Sequence, residues 1–178
     1  GTFPSLPGIY KENFIKLIYK GLNDFSDFFY KGEEFQFDKF KEFFELPADL
    51  DNQERTKRIH EKALELKNYK LDNTSLVSEQ ERNRNAKIRC VALVVETRPD
   101  LGRLAEGNEI LRFGGTRVEL GIQSVYDEDL DFVKRGHTVQ DSIESIRILK
   151  DLGLKVSVHY MLGLTEDRKK DLEGLKFV

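Results

Sequence analysis

From about Asn85 onward the sequence alternates short apolar runs with amphipathic helical patterns, and few folds accept that alternation. Arg89-Cys90-Val91-Ala92-Leu93-Val94-Val95-Glu96 is valine-rich, short and apolar, as a buried parallel strand requires. Pro99 ends it, and Asp100 is expected to cap a helix that runs to about Phe113 and closes at Gly114-Gly115. A second strand is expected over 117–123, then a short helix over 127–134. Thr138 opens a helix carrying Val139, Ile143, Ile146, Leu149 and Leu152 on one face, stopped by Gly153. A third strand runs over 155–161. Strand, helix, strand, helix, strand at this spacing gives βαβ units and a parallel sheet.

Strand parity then sorts the polar residues, because successive side chains point to opposite faces. Val118, Leu120 and Ile122 share one face of the second strand; Arg117, Glu119, Gly121 and Gln123 share the other. In the third strand Val156, Val158 and Tyr160 oppose Ser157, His159 and Met161. In the first, Glu96 falls in parity with Cys90, Ala92 and Val94. Helices cover the outer face of a βα barrel, so that face takes the apolar set. Glu119, Gln123, Ser157, His159 and Glu96 then point inward, where an ordinary barrel is filled with branched apolar side chains. A polar interior near the strand C-termini suits a ligand site. An open doubly wound sheet with polar strand ends is the alternative, and a one-residue slip would invert every face.

The first 85 residues differ in character. A helix of about Tyr10 to Leu22 is followed by eight of the thirteen phenylalanines, between Phe25 and Phe44. That density implies a packed insertion, drawn here over 24–84, ahead of core βα units over 85–164. Residues 51–85 are charged and helix-favouring, with Ile59, Ala63 and Leu66 spaced for one stripe. No apolar run approaches the roughly 18 residues that span a bilayer, so no membrane partner is expected. The single cysteine excludes an internal disulfide framework and makes a reducing cytoplasm the default. One cysteine also cannot hold an iron–sulfur cluster, which needs several thiolates, and parity makes Cys90 a small core residue. A net charge of −3 leaves room only for local basic stripes: Arg82, Arg84, Lys87 and Arg89, and also Arg55, Lys57 and Arg58. Either stripe could meet phosphates or be a solvated helix face. Glu96 and Arg98 could equally form a structural ion pair, His137 a solvated turn, and His159 a core histidine. Asp127, Glu128, Asp129 and Asp131 read as a solvated helical turn with favourable N-terminal charge.

Four strings occur in order: Gly1-Thr2-Phe3-Pro4; Arg89-Cys90-Val91 with Glu96-Thr97-Arg98-Pro99-Asp100; Arg117-Val118-Glu119-Leu120-Gly121-Ile122-Gln123-Ser124; and Arg135-Gly136-His137-Thr138. Together they resemble the radical S-adenosylmethionine (SAM) domain of the Elongator catalytic subunit family. The similarity is dense over 85–164 and over 1–14, and weak over 24–80. The resemblance implies an α/β fold, a partial TIM-type βα barrel of the radical SAM type with a helical, Phe-rich insertion. It implies a tRNA-modifying enzyme that installs a carboxymethyl-type group at carbon five of the wobble uridine. In that family a reduced 4Fe-4S cluster cleaves SAM to a 5′-deoxyadenosyl radical, and acetyl-CoA on a separate acetyltransferase domain supplies the carbon unit. The partners it implies are tRNA, and other Elongator subunits or a second copy.

Carried onto this sequence, Gly1 and Thr2 match the loop that contacts the SAM amino group. Glu96, Gln123 and Ser124 match strand ends lining the SAM pocket, and Arg135 and His137 match the turn beside it. Arg98 and His159 complete the expected cofactor-binding set, and Arg82, Arg84, Lys87 and Arg89 the expected tRNA contacts. No residue here is assigned as catalytic or as a metal ligand. The chain opens without Met and stops at Phe177-Val178 inside a helical pattern, so 1–178 is expected to be one stretch of a longer radical SAM domain. The family's three-cysteine loop is expected before Gly1 and the acetyltransferase domain beyond Val178, so this stretch alone is expected to be inactive. Met161-Leu162-Gly163-Leu164-Thr165-Glu166 stands where the family usually shows Met-Pro-Gly-Leu-Pro-Gly. Another radical SAM enzyme, of the coproporphyrinogen-oxidase-like type, and a non-catalytic tRNA-binding module on the same barrel are the competing readings.

Overall fold

The computed structural model describes residues 2–49, 51–69, 74–164 and 167–177. A single 3-10 turn at Phe3–Ser5 leads into α1 (Gly8–Phe29), followed by the short strands β1 (Tyr30–Lys31) and β2 (Glu34–Phe35). Next come α2 (Phe37–Phe43), α3 (Gln53–Tyr69), α4 (Leu76–Asn85) and β3 (Val94–Thr97). A 3-10 turn at Pro99–Leu101 precedes α5 (Leu104–Arg112), β4 (Arg117–Gln123), α6 (Asp127–Phe132), α7 (Val139–Asp151), β5 (Lys155–Tyr160) and α8 (Arg168–Phe177). The backbone divides into two compact units, one of Gly1–Phe14 with Val91–Val178, the other Ile15–Cys90.

In the first unit β3, β4 and β5 form a parallel sheet in that spatial order. Neighbours in sequence are neighbours in space, as throughout a βα barrel and within each half of a doubly wound sheet. The architecture is α/β, with the strand order of an arc of a TIM-type βα barrel. Its core is Val95, Ile110, Val118, Leu120, Ile122, Leu149 and Leu154, so β4 turns Val118, Leu120 and Ile122 towards α5 and α7. Val156, Val158 and Tyr160 of β5 join the same side. Each such fully buried branched side chain contributes roughly 1.5–3 kcal/mol.

Local chemistry sets the helix ends. Thr138 accepts from the Asp141 amide at 3.1 Å while Asp141 accepts from the Thr138 amide at 2.8 Å, a reciprocal capping box that starts α7. Gly153, at φ 82°, ends it, and the Leu154 amide closes onto Leu149 at 3.1 Å.

Four expectations are corrected. The first strand is Val94–Thr97, so Cys90 lies outside it and belongs to the second unit, where its amide donates to Asn83 Oδ1 at 2.8 Å; Val91 is 82% exposed. Asp100 does not cap a helix, because the 3-10 turn intervenes and α5 starts after Arg103. On α7 the buried positions are Ser142, Ser145 and Leu149, whereas Ile143 is exposed; Leu149, Ile146 and Leu152 pack on the core, and Ser145 faces Gly102 beside the 3-10 turn. The acidic turn is not wholly solvated, because Asp129 is buried.

The second unit is built on phenylalanine. Phe29, 1% exposed, sits among the rings of Phe25, Phe28, Phe35, Phe40, Phe43 and Phe44 at centroid separations of 4.4–6.4 Å. Beside them runs a buried polar network. Asn23 donates to Glu79 Oε2 at 2.8 Å, Asn83 donates to Asn23 Oδ1 at 2.7 Å, and Ser26 accepts from the Lys87 amide at 2.8 Å. No helix among the described residues is long and apolar enough to cross a membrane.

Candidate functional site

The face of the arc opposite the core carries the polar set. Glu96, Glu119 and Ser157 stand in register across β3, β4 and β5. His159 sits between two carboxylates, with Nδ1 3.5 Å from Glu96 Oε1 and Nε2 3.3 Å from Glu119 Oε2. Arg117 donates to Ser157 Oγ at 2.7 Å one step nearer the strand starts. Glu96 thus faces His159, while Arg98 pairs with Asp100 through Nε–Oδ1 at 2.9 Å and a second guanidinium contact. That corrects the Glu96–Arg98 pairing. Hydrogen bonding to Arg98 holds the Asp100 carboxyl below its ordinary value.

A second group gathers past the strand C-termini, the active end of a βα barrel. Gly121 leaves room for Arg135, whose Nη2 donates to the Gly121 carbonyl at 3.0 Å. A β-carbon on Gly121 would stand 3.0 Å from both Arg135 Nη2 and Gln123 Nε2, so both side chains lie over this glycine. His137 is not a solvated turn residue: it is 5% exposed, with Nε2 3.2 Å from the Ile122 carbonyl. A carbonyl only accepts, so Nε2 carries the proton. Burial, opposed by that bond, pushes the imidazole below its ordinary value and keeps it neutral. Its Nδ1 is then a buried acceptor. His137 Nδ1, Arg135 Nε and Thr2 Oγ1 have no hydrogen-bond partner among the described residues.

Not every expected residue is open to a ligand. Ser124, 2% exposed, gives its hydroxyl to Asp129 Oδ2 at 2.8 Å. Gly1 lies outside the described residues. In the second unit Arg82 is engaged by Asp24 at 2.9 Å, by Asp27 and by Glu79 at 3.2 Å, and Lys87 by Glu33. Arg84 pairs with Glu81 at 3.2 Å but is 75% exposed, and Arg89 is exposed. Of the other stripe, Arg55 is 8% exposed and donates to the Phe44 carbonyl, and Arg58 pairs with Glu45. Sequence reasoning missed the pairings of Asp100 with Arg98 and of Asp129 with Lys170. Lys170 meets Asp129 across 41 positions, which no local pattern reveals.

A parallel βα arc with a polar inner face and buried polar atoms at its strand C-termini has the chemistry that a barrel ligand site needs. Residues 47–177 match the model of the Radical SAM superfamily, and the chain belongs to that family. The tRNA uridine(34) acetyltransferase of Methanocaldococcus jannaschii is 53% identical over 94 residues, which make up 53% of this chain and 17% of that protein. Elongator complex protein 3 of Saccharomyces cerevisiae is 28% identical over 177 residues, 99% of this chain and 24% of that protein. A solved structure of Methanocaldococcus infernus Elp3 with an N-terminal deletion aligns with a TM-score of 0.71 at 34% identity, covering 99% of this chain and 31% of that one. The chain thus spans well under half the length of each of these relatives.

Proposed function

We propose that these residues form part of the SAM-binding wall in a tRNA uridine(34)-modifying enzyme of the Elongator type. The observation that carries this reading is the inner face itself, polar where an ordinary barrel is apolar. The names borne by relatives supply the substrate, uridine 34 of tRNA, and an acetyl transfer; the product class, a carboxymethyl-type group at carbon five, is proposed from the family resemblance. Acetyl-CoA, bound by an acetyltransferase domain elsewhere in the longer protein, is the proposed carbon source. Other Elongator subunits or a second copy are the proposed protein partners, and the cytoplasm the proposed location.

The residues fit SAM. The cofactor carries hydroxyl and amino donors together with carboxylate and ring-nitrogen acceptors. The wall offers acceptors at Glu96 and at the neutral His137 Nδ1, and donors at Arg135 Nε, Gln123 Nε2 and Thr2 Oγ1. His159 lies between Glu96 and Glu119, 3.5 and 3.3 Å from their carboxylates. Arg98, tied to Asp100, closes the end of β3, and Ser124 sets the turn after β4. The residues do not fit an iron–sulfur cluster: the chain has one cysteine, and Cys90 belongs to the other unit. We place the cluster ligands elsewhere in the longer protein. SAM and the cluster, when bound, supply the radical chemistry that substitution at an unactivated carbon needs. For tRNA we retain Arg84 and Arg89 as phosphate contacts, with Arg82 and Lys87 placed behind them by their carboxylate partners.

Calorimetric titration of SAM into the full-length protein tests the wall. Glu96→Ala and Arg135→Ala should each weaken binding roughly tenfold, the cost of about one charge-assisted hydrogen bond. Nucleoside mass spectrometry of tRNA should show loss of the uridine-34 modification in parallel. Unchanged SAM affinity in both variants would remove the assignment.

A further inference from the structure

β4 ends in a γ-turn of the rare, positive-φ kind. The Ser124 amide donates to the Ile122 carbonyl at 2.8 Å, and Gln123 between them has φ 67°. A side chain in that conformation is strained, so the surroundings must impose it. One restraint is the Gln123 carbonyl, which accepts from the Met161 amide at 2.9 Å. A second is His137, whose Nε2 donates to the Ile122 carbonyl at 3.2 Å, and a third is Ser124, whose hydroxyl donates to Asp129 Oδ2 and accepts from the Tyr126 amide at 3.2 Å.

Asp129 is 4% exposed, and a buried carboxylate needs a cation. Lys170 of α8 supplies it, donating to Asp129 Oδ1 at 2.6 Å and to Glu128 Oε1 at 2.8 Å. Its ammonium also lies 4.5 Å from the centroid of the Tyr126 ring, within cation–π range. Bonds to Asp129 and then Glu128 raise the Lys170 pKa and keep it charged. A connected path therefore runs from α8 through Lys170, Asp129 and Ser124 to the strained Gln123.

We propose that Asp129 and Lys170 are positioning residues for the cofactor pocket, acting through the Ser124 hydroxyl to hold the Gln123 turn. This rests on the reading that Gln123 lines the SAM site. Neither residue touches the ligand; each sets the direction of one that does. The geometry makes α8 part of the pocket's construction although it contributes no lining side chain.

The test uses the full-length protein, with SAM titration and amide hydrogen exchange measured together. Lys170→Met should weaken SAM binding roughly tenfold, the order of effect of a released strained turn, and should speed exchange at the Ser124 amide without SAM. Lys170→Arg, which keeps the charge, should restore both. In a Gln123→Ala background Lys170→Met should add no further loss, an outcome that general loosening would not give. Ser124→Ala, which leaves the ion pair intact, should reproduce the loss even if Lys170→Met folds poorly. Wild-type affinity in both Lys170→Met and Ser124→Ala, or a full additional loss in the Gln123→Ala background, overturns the inference. A wild-type protein that does not bind SAM overturns the pocket reading instead, and slow Ser124 exchange in Lys170→Met then overturns the path on its own.

Discussion

Gly121 is the inner-face position of β4 where the lack of a side chain matters most. Alanine there would place its β-carbon 3.0 Å from Arg135 Nη2 and from Gln123 Nε2, both ends of movable side chains. We expect Gly121→Ala to cost less than about 1 kcal/mol of stability, because such ends yield cheaply. SAM affinity should nevertheless fall several-fold, read by titration, because the two donors are pushed from their places. His137 makes a second prediction at this scale. Burial depresses its folded pKa below the ordinary 6.5, so below that pH the unfolded chain binds the proton more readily. Its contribution to stability is present above about pH 6.5 and is lost as pH falls towards the depressed value. Urea unfolding at about pH 7.5 and about pH 5.5 should show a smaller difference between the two pH values in His137→Asn than in the wild type.

Among the elements, α7 is the one whose ends are best explained. Thr138→Ala removes half of its capping box and should cost about 1 kcal/mol, seen as a lowered thermal midpoint. This helix was legible in the sequence because Thr138, Asp141 and Gly153 are local signals at fixed offsets. The faces of β4 and β5 were legible from their starts, Arg117 and Lys155 in register, as far as Leu120 against Val158; beyond it an irregularity sets Gln123 against Tyr160, which parity alone does not foresee. β3 was not legible. The run 89–96 is apolar enough for a strand, but pairing with β4 begins only at Val94. Composition marks residues able to form a strand; a partner decides which of them do. The same limit hid the α7 packing face, where Ser142 and Ser145 are buried and Ile143 is not. Serine reads as polar in a helical stripe, yet Ser145 is small enough to be buried against Gly102. Asp129 and Lys170 were out of reach because an ion pair across 41 residues leaves no periodic trace.

At the scale of the whole molecule the two units carry different chemistry. Among the described residues the barrel arc holds most of the buried polar atoms without a partner, and the phenylalanine unit, Thr74 Oγ1 apart, pairs its buried Asn23, Glu79 and Asn83 with one another. Arg82 shows how far that internal pairing reaches: Asp24, Asp27 and Glu79 surround it, and hydrogen bonds to Asp27 and Asp24 raise its pKa against the cost of burial. A guanidinium with three carboxylates around it is poorly placed to release counterions from a phosphate backbone. Glu33 engages Lys87, whose side chain is 35% exposed, whereas Arg84, though paired with Glu81, is 75% exposed and Arg89 is exposed, so these two are the most outward charges of the stripe. The prediction separates the two roles. Arg84→Ala with Arg89→Ala should weaken tRNA binding and lower the slope of log affinity against log salt by about one for each phosphate no longer neutralised. SAM affinity should stay at the wild-type value, since both residues belong to the other unit. Arg82→Ala should instead lower the thermal midpoint, because it strands Glu79, a carboxylate whose side chain is 1% exposed. Filter binding across a salt series, paired with thermal unfolding, reads both effects. A salt slope that falls in Arg82→Ala and not in the Arg84/Arg89 double variant would reverse the assignment and make the buried network, not the exposed cations, the nucleic-acid contact.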